Sequence, residues 1–251
     1  MILIDRPIWP NHGTVFAHLV SDTSYAELHD FAEAAGLPKR AFDGDHYDVP
    51  LRYVDAVRAA GATTVPAGEL VRRLNQRGLR LRKRRGERGV ARVLDADLGA
   101  GMRGDVDLVL STRPAPRETT GAAAVVLSDA GGHVLMVHSI RRGTWDSPGG
   151  RVERGESAAD CAVRELAEEL GVALAVEALR PCGYERVTTR PVPLVRPYIQ
   201  VFTAALAETR PPLRLAHDEL CGAEWLAGAA LRDRCANRFW WPLVERVLDA
   251  R

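Results

Sequence analysis

The chain has 251 residues, a formal net charge of +1, 46% hydrophobic and 27% charged residues, a soluble, globular make-up with room for two ordinary domains. Near-neutral charge gives no overall pull on a polyanionic partner, and two lysines only, Lys39 and Lys83, disfavour Schiff-base chemistry. Cys161, Cys182, Cys221 and Cys235 lack CxxC spacing, which suggests neither a thiolate zinc site nor a disulfide framework and fits a reducing cytoplasm.

From the first residue, Ile2 to Ile4 reads as a buried strand and not as part of a signal peptide, and no apolar run approaches membrane-spanning length. Apolar residues then recur at helical spacing over Tyr25 to Ala35, Leu51 to Ala60 and Gly68 to Arg77, each ending near a glycine. Residues 1–85 are therefore expected to form a small α/β domain. This stretch is dense in His12, His18, Asp43, Asp45, His46 and Asp48, residue types that suit a second divalent-ion site or acid–base work. Asp-Gly clusters are equally ordinary turn material.

Residues 86–117 are expected to be a linker carrying arginines, glycines and prolines, preceded by the basic run Arg80, Arg82, Lys83, Arg84 and Arg85. That run could track a nucleic-acid backbone, but it has no interleaved aromatics for stacking on single strands, and a solvated or internally docked face is favoured. From residue 118 on, strand patterns at Ala122 to Leu127 and Val134 to Ile140 flank Asp129-Ala130-Gly131-Gly132 and read as a hairpin. Tyr198 to Ala205 and Ala223 to Leu226 are further strand candidates, and Trp241 to Leu248 an amphipathic helix.

Between the hairpin and these later strands, Gly150 to Glu156 is followed, after seven residues, by Arg164-Glu165-Leu166-Ala167-Glu168-Glu169-Leu170-Gly171-Val172. Ser157 and Asp160 form a capping-box pattern that opens a helix, and Gly171 sits where a left-handed residue closes one. Glu165, Glu168 and Glu169 fall at i, i+3 and i+4, so their carboxylates share one helical face and repel. Hard cations with oxygen ligands relieve that repulsion, and the Arg164 guanidinium can orient a carboxylate through two hydrogen bonds. Read as structure alone, the helix would be an amphipathic one with a solvated acidic face.

Gly150 to Val172 resembles the Nudix box at every defined position, with Trp145, Pro148 and Gly149 as its usual lead-in. The resemblance implies a Nudix α/β/α sandwich with a mixed sheet over residues 118–251, and Mg²⁺-dependent hydrolysis of a nucleoside diphosphate linked to another group, with Mn²⁺ able to substitute. It implies Glu168 and Glu169 as principal metal ligands with a Gly149 or Gly150 carbonyl, Glu165 as ligand or base, Arg164 as its orienting partner and Glu156 as loop support. An acid outside the box is also expected, with Glu224, before Trp225, as first choice and Glu219 as second. The segment after the box lacks the tryptophan-containing tag of the NADH-hydrolysing group, and Pro191 and Pro193 do not match the proline of ADP-ribose hydrolases, so no subgroup is assigned. Arg141, Arg142, Arg186, Arg190 and Arg196 are candidates for phosphate contacts; Tyr184, Phe202 and Trp145 are candidates for base stacking. The expected partner is a small nucleotide, with a nucleotide-sensing regulator and an RNA-directed pyrophosphohydrolase as alternatives. Residues 1–85 resemble an uncharacterised small bacterial domain through Asp5-Arg6-Pro7-Ile8-Trp9-Pro10 and Asp43 to Asp48, which implies no activity.

Overall fold

The computed structural model describes residues 1–11, 13–215 and 219–250, and the chain divides into two units, Met1–Arg92 and Val93–Arg251. The first contains β1 (Ile2–Ile4), β2 (Trp9–Asn11), β3 (Thr14–Ser21), α1 (Tyr25–Ala34), β4 (Tyr47–Pro50), α2 (Leu51–Ala59), β5 (Thr63–Thr64) and α3 (Ala67–Gln76). Its sheet runs β2-β3-β1-β5, with β4 added to β3. The three helices lie where their periodicity predicts. Leu28 and Ala32 of α1 and Val54 and Val57 of α2 pack on Ile4, Leu19 and Val49, while Leu70 and Leu74 of α3 join Leu3 and Val20. The alternation of β1 and β3 thus feeds two apolar clusters. Each fully buried leucine or isoleucine contributes about 1.5–3 kcal/mol.

The second unit contains β7 (Met102–Leu110), β8 (Thr120–Ser128), β9 (Val134–Ser139), β10 (Thr144–Asp146), β11 (Gly149–Arg151), α4 (Ala158–Leu170), β12 (Arg180–Thr189), β13 (Tyr198–Ala205), β14 (Leu220–Leu226), α5 (Gly228–Cys235) and α6 (Trp241–Asp249). It is entered through β6 (Arg88–Gly99). The sheet order is β10-β9-β8-β13-β12-β7-β6, with β11 on β8 and β14 on β9. Strands β8 and β13 run parallel, while β8 with β9 and β11, β9 with β10 and β14, and β12 with β13 and β7 run antiparallel, so the sheet is mixed, as expected. Helix α4 packs on Val125, Leu127, Leu135 and Val137 through Leu166 and Leu170. On β12, a Cβ placed at Gly183 would lie 2.5 Å from the Val109 carbonyl oxygen of β7, so that strand's approach requires glycine there, with Leu243 of α6 a further contact at 3.1 Å.

One expectation is corrected. The linker over 86–117 is instead largely β6 and β7, and β7 pairs with β12 from Gly104 to Leu110. Val106, Leu108 and Val109 are fully buried there; the glycines and prolines around this apolar run masked it. The expected hairpin joins β8 and β9, which pair antiparallel at Ser128 and Val134. Strand β8 then turns to β13 and β11, while β9 turns to β14 and β10. The two strands diverge, and the glycine segment of β11 fills the near side of the split.

The basic run is largely consumed within the first unit. Arg80 donates to Asp45 at 2.9 Å, Lys83 pairs with Asp43, Arg84 donates to Glu87 at 2.7 Å and Arg92 to the Gly78 carbonyl at 2.7 Å. Among the described residues, no helix is long and apolar enough to cross a membrane.

Strand β11 pairs Gly149 with Ala124 and Gly150 with Ala123. Gly149 has φ +151, and a Cβ there would stand 2.1 Å from the Ala123 carbonyl oxygen. No side chain can be accommodated without parting the strands. Gly149→Ala is expected to destabilise the protein by about 1–3 kcal/mol, measured by urea unfolding. A second stability prediction concerns Glu185 of β12. Burial, then the charge of Asp146, pushes its carboxyl up to about 8 from an unfolded value of 4.5. Between those values the folded state holds a proton that the unfolded state releases, so stability falls as pH rises through the window. Glu185→Gln is expected to raise the unfolding midpoint at pH 9 by roughly 5 °C or more and to change it little at pH 4.5, read by thermal scans across pH.

Candidate active site

Helix α4 begins as its capping pattern predicts. The Ser157 hydroxyl accepts from the Asp160 N–H, Asp160 returns a bond to the Ser157 N–H, and Gly171 closes the helix at φ +67. The Val172 N–H reaches back to the Leu166 carbonyl at 3.0 Å. With both ends fixed and Leu166 and Leu170 fully buried, the rotation of the helix is set, and with it the direction of each glutamate.

Those directions differ. Glu168 is exposed, Glu165 is half-buried and Glu169 is buried. Glu165 lies flat against β11, where a Cβ on Gly150 would come within 2.1 Å of its Oε1. Gly150 is therefore the floor on which that carboxylate rests. One oxygen of Glu169, Oε2, is buried with no hydrogen-bond partner among the described residues. Burial, reinforced by Glu165 and Glu219, pushes Glu169 up to about 7, and burial also raises Glu165.

Arg164 ties the carboxylates together. Its Nε donates to Glu156 at 2.8 Å, one terminal nitrogen lies 2.9 Å from Glu168 and 3.0 Å from Glu165, and the other donates to the Arg151 carbonyl at 3.1 Å. Glu156 is held below the usual carboxylate range by Arg164 and braces the loop by accepting the Glu153 N–H at 2.8 Å. An always-charged, forked donor is suited to this multiple contact, and an ammonium is not.

The two acids expected outside the box have different surroundings. Ala223 and Trp225 of β14 pack against the cluster that contains Leu166 and Leu170. Glu224 between them alternates to the other strand face, where it lies 3.7 Å from Arg234 of α5. Glu219, just before β14, is the acid whose charge acts on Glu169, and its carbonyl accepts the Ile140 N–H.

A polar recess missed by sequence reasoning adjoins this cluster. Asp146 accepts from Trp240 at 2.6 Å, pairs with Arg142 at 3.2 Å and is raised by burial. Arg142 acts on Glu169, Asp146 and Glu185 together. Arg238 and Ser147 each carry a buried polar atom without a hydrogen-bond partner among the described residues. Asp146 next to the glycine lead-in was visible in the sequence, but nothing local marks Glu185 or Trp240, which come from distant segments. Of the other substrate-contact candidates, Tyr184 and Phe202 are buried, Arg186 and Arg190 pair with Asp107 and Asp105, Arg196 donates to the Val152 carbonyl, and Trp145 lies under Arg234.

In the first unit the structure brings His18, His46 and Asp48 together, their donor atoms all within 4.8 Å of one another. Asp45 stands behind His46 at 2.6 Å. Against the opposing effect of burial, Asp45 and Asp48 push His46 up to about 9. Asp43 pairs with Lys83 and accepts the Gly89 N–H, so it has a structural part. His12 lies outside the described residues.

Comparison with known proteins places both units. A model described as "NUDIX domain" matches residues 118–245, and one described as "Protein of unknown function (DUF4031)" matches residues 2–77. A Bacillus subtilis (strain 168) protein named "Putative 8-oxo-dGTP diphosphatase" is 45% identical over 60 residues, 24% of this chain and 40% of that protein. An "Uncharacterized Nudix hydrolase" of the same organism is 49% identical over 39 residues, 16% of this chain and 25% of that protein. The chain thus spans less than half the length of the curated relatives it matches. A crystal structure of a Bacillus subtilis pyrophosphohydrolase superposes with TM-score 0.47 at 19% identity, covering 63% of this chain and 96% of the other. With its box intact from Gly150 to Val172 and the domain match running over just over half its length, this chain belongs to the NUDIX family.

Proposed function

We propose that this protein hydrolyses a pyrophosphate bond in a small nucleotide-type substrate, a nucleoside diphosphate joined to another group, with the help of Mg²⁺ or Mn²⁺. The observation that carries the reading is the buried, unpartnered oxygen of Glu169, set among Glu165, Glu168 and Glu219. A carboxylate oxygen without a donor is costly in a protein interior, by about 1–3 kcal/mol or more. All-oxygen donors of this kind suit a hard divalent ion, so the residues present fit the cation that the family implies. Glu168 and Glu169 would hold it, with Glu219 as the outlying acid and a carbonyl of Gly149 or Gly150 contributing, which leaves Glu165 as the base. When bound, the cation supplies Lewis-acid polarisation of the pyrophosphate oxygens and neutralises charge on the leaving phosphate.

The chain's own groups supply the rest. Arg164 keeps Glu156, Glu165 and Glu168 in register, so their geometry does not have to be assembled when substrate arrives. Glu165, raised by burial, is the stronger base for that shift and takes the proton of the attacking water. Water adds to one phosphorus, the bridging P–O bond breaks, and two phosphate-bearing products leave. Arg142, whose field reaches Glu169 and Asp146, is the cation best placed to meet a substrate phosphate, and the Asp146–Glu185–Trp240 recess is the polar wall beside it. Burial pushes the Glu185 carboxyl up to about 8, so it can donate a hydrogen bond to substrate where an ionised carboxylate would only accept.

Turnover of a panel of nucleoside triphosphates, nucleotide sugars and dinucleoside polyphosphates is expected with Mg²⁺ or Mn²⁺ and is expected to vanish with chelator. Glu168→Gln should lower kcat by roughly 10²–10³-fold while leaving the fold unchanged. If no member is cleaved and one binds tightly, the sensor alternative replaces the hydrolase. The cradle offers a sharper separation of activity from stability. Gly150→Ala would displace a flexible carboxylate and not a backbone strand, so it should cost roughly 10–100-fold in kcat or cation affinity with a smaller loss of stability than Gly149→Ala, compared by steady-state kinetics and urea unfolding on the two variants.

A further inference from the structure

The cross-strand register of the first unit creates a second convergence of donors, of different chemistry. Strands β3 and β4 pair antiparallel with His18 directly opposite Asp48. His46 stands two residues before Asp48, in the bend that leads into β4. His18 Nε2 lies 3.8 Å and His46 Nε2 3.4 Å from one oxygen of Asp48, and the two imidazoles meet edge to face at 4.8 Å between ring centres.

What marks the cluster as more than a surface accident is what lies behind each ring. His18 Nδ1 is 3.0 Å from Asp5, and His46 Nδ1 is 2.6 Å from Asp45. Both aspartates are 1% exposed. Asp5 is itself held by the Trp9 indole N–H at 3.0 Å and the His18 N–H at 2.6 Å. Asp45 is held by Arg80 at 2.9 Å and the Leu81 N–H at 2.8 Å. A carboxylate in such a cage only accepts, so each fixes a proton on Nδ1 and leaves the Nε2 lone pair directed away from it. With His46 in its neutral form, two lone pairs and a carboxylate oxygen face one another. A carboxylate behind a histidine is also the arrangement that orients a metal-binding imidazole and raises its basicity.

We propose that the N-terminal unit binds one divalent transition-metal ion of the zinc class through His18 Nε2, His46 Nε2 and Asp48, with Asp5 and Asp45 holding the two rings from behind. Two imidazoles and one carboxylate select a borderline ion such as Zn²⁺, Co²⁺ or Fe²⁺ over Mg²⁺. Three protein donors leave at least one coordination position open, as catalytic and not structural sites do. The two imidazoles line a cleft with Trp9, Leu70 and Arg80, which gives an oxygen-bearing ligand a route to them. The metal-free alternative is an imidazolium on His46 bridging Asp45 and Asp48.

The test uses the full chain, stripped with chelator and reloaded with Zn²⁺ or Co²⁺ alone. One equivalent per chain is expected by elemental analysis, with a visible Co²⁺ spectrum showing nitrogen ligation. The equivalent should survive in the double variant Glu168→Gln, Glu169→Gln, which keeps the assignment independent of the Nudix box. Asp48→Asn, at a partly exposed position, should weaken binding on the order of 100-fold, and Asp5→Asn, which cannot hold the ring proton in the same way, by roughly 10–100-fold. If Asp48→Asn does not fold, His18→Gln serves in its place. The proposal is overturned if no equivalent is retained, if the box variant abolishes it, or if Asp48→Asn and His18→Gln bind as the parent does. It is also overturned if the ¹⁵N signals of His46 remain those of an imidazolium in excess Zn²⁺.

Discussion

Negative charge crowded onto one turn of a half-buried helix is the constraint around which the C-terminal unit is arranged. Glu165, Glu168 and Glu169 cannot all be hydrated, because the turn that carries them also carries Leu166 and Leu170 into the core. The conflict is divided rather than removed. Arg164 takes part of the charge of Glu165 and Glu168 together with that of Glu156, and Glu169 is left with an oxygen that no described residue serves. A surface ion pair is worth at most about 1 kcal/mol, so this arginine cannot be regarded as a stability device. Its value lies in fixing where three carboxylates point before any ligand arrives.

Everything near that turn is shaped to keep it in place. Gly150 must lack a side chain because the Glu165 carboxylate occupies the position a Cβ would fill, and Gly149 must lack one because β8 does. The divergence of β8 and β9 after Ser128 and Val134 opens the sheet on this side. The sandwich thus offers a rigid helix on one wall and a glycine floor beneath it, and the polar recess of Asp146 and Glu185 carries charges suppressed by burial. Ionisation of these acids is governed by their distance from water more than by their partners, as burial heads the causes for Glu165, Glu169, Asp146 and Glu185 alike.

How much of this could be read beforehand follows from how local each signal is. The ends of α4, the spacing of its glutamates and the need for Gly149 and Gly150 are set within a few residues, and the sequence carried them openly. The burial difference between Glu168 and Glu169 was not legible, because it depends on which side of α4 meets strands from four other segments. The side to which Glu224 faces was not legible for the same reason: strand alternation at β14 sets it, and the register with β9 is a tertiary fact. Strands β6 and β7 were misread because glycine and proline punctuation outweighed a short apolar run whose pairing partner, β12, lies some seventy to eighty residues on. In the N-terminal unit the density of histidine and aspartate was plain. Which of them meet was fixed only by the pairing of His18 with Asp48, and Asp5, absent from the expected set, emerged as the residue behind a ring.

The two clusters solve one problem with opposite donor chemistry. In the C-terminal unit, oxygen donors crowd a helix and an arginine keeps them oriented; in the N-terminal unit, imidazoles face each other across a strand pair and buried carboxylates keep them oriented. Hard ions prefer the first set and borderline ions the second. A cell's magnesium would therefore have little competence at His18 and His46, while a zinc-class ion held there would be buffered by nitrogen donors that the box does not contain. Segregation of ions by donor type would let one chain carry two metal-dependent sites without either stripping the other, and it needs no contact between the units to operate.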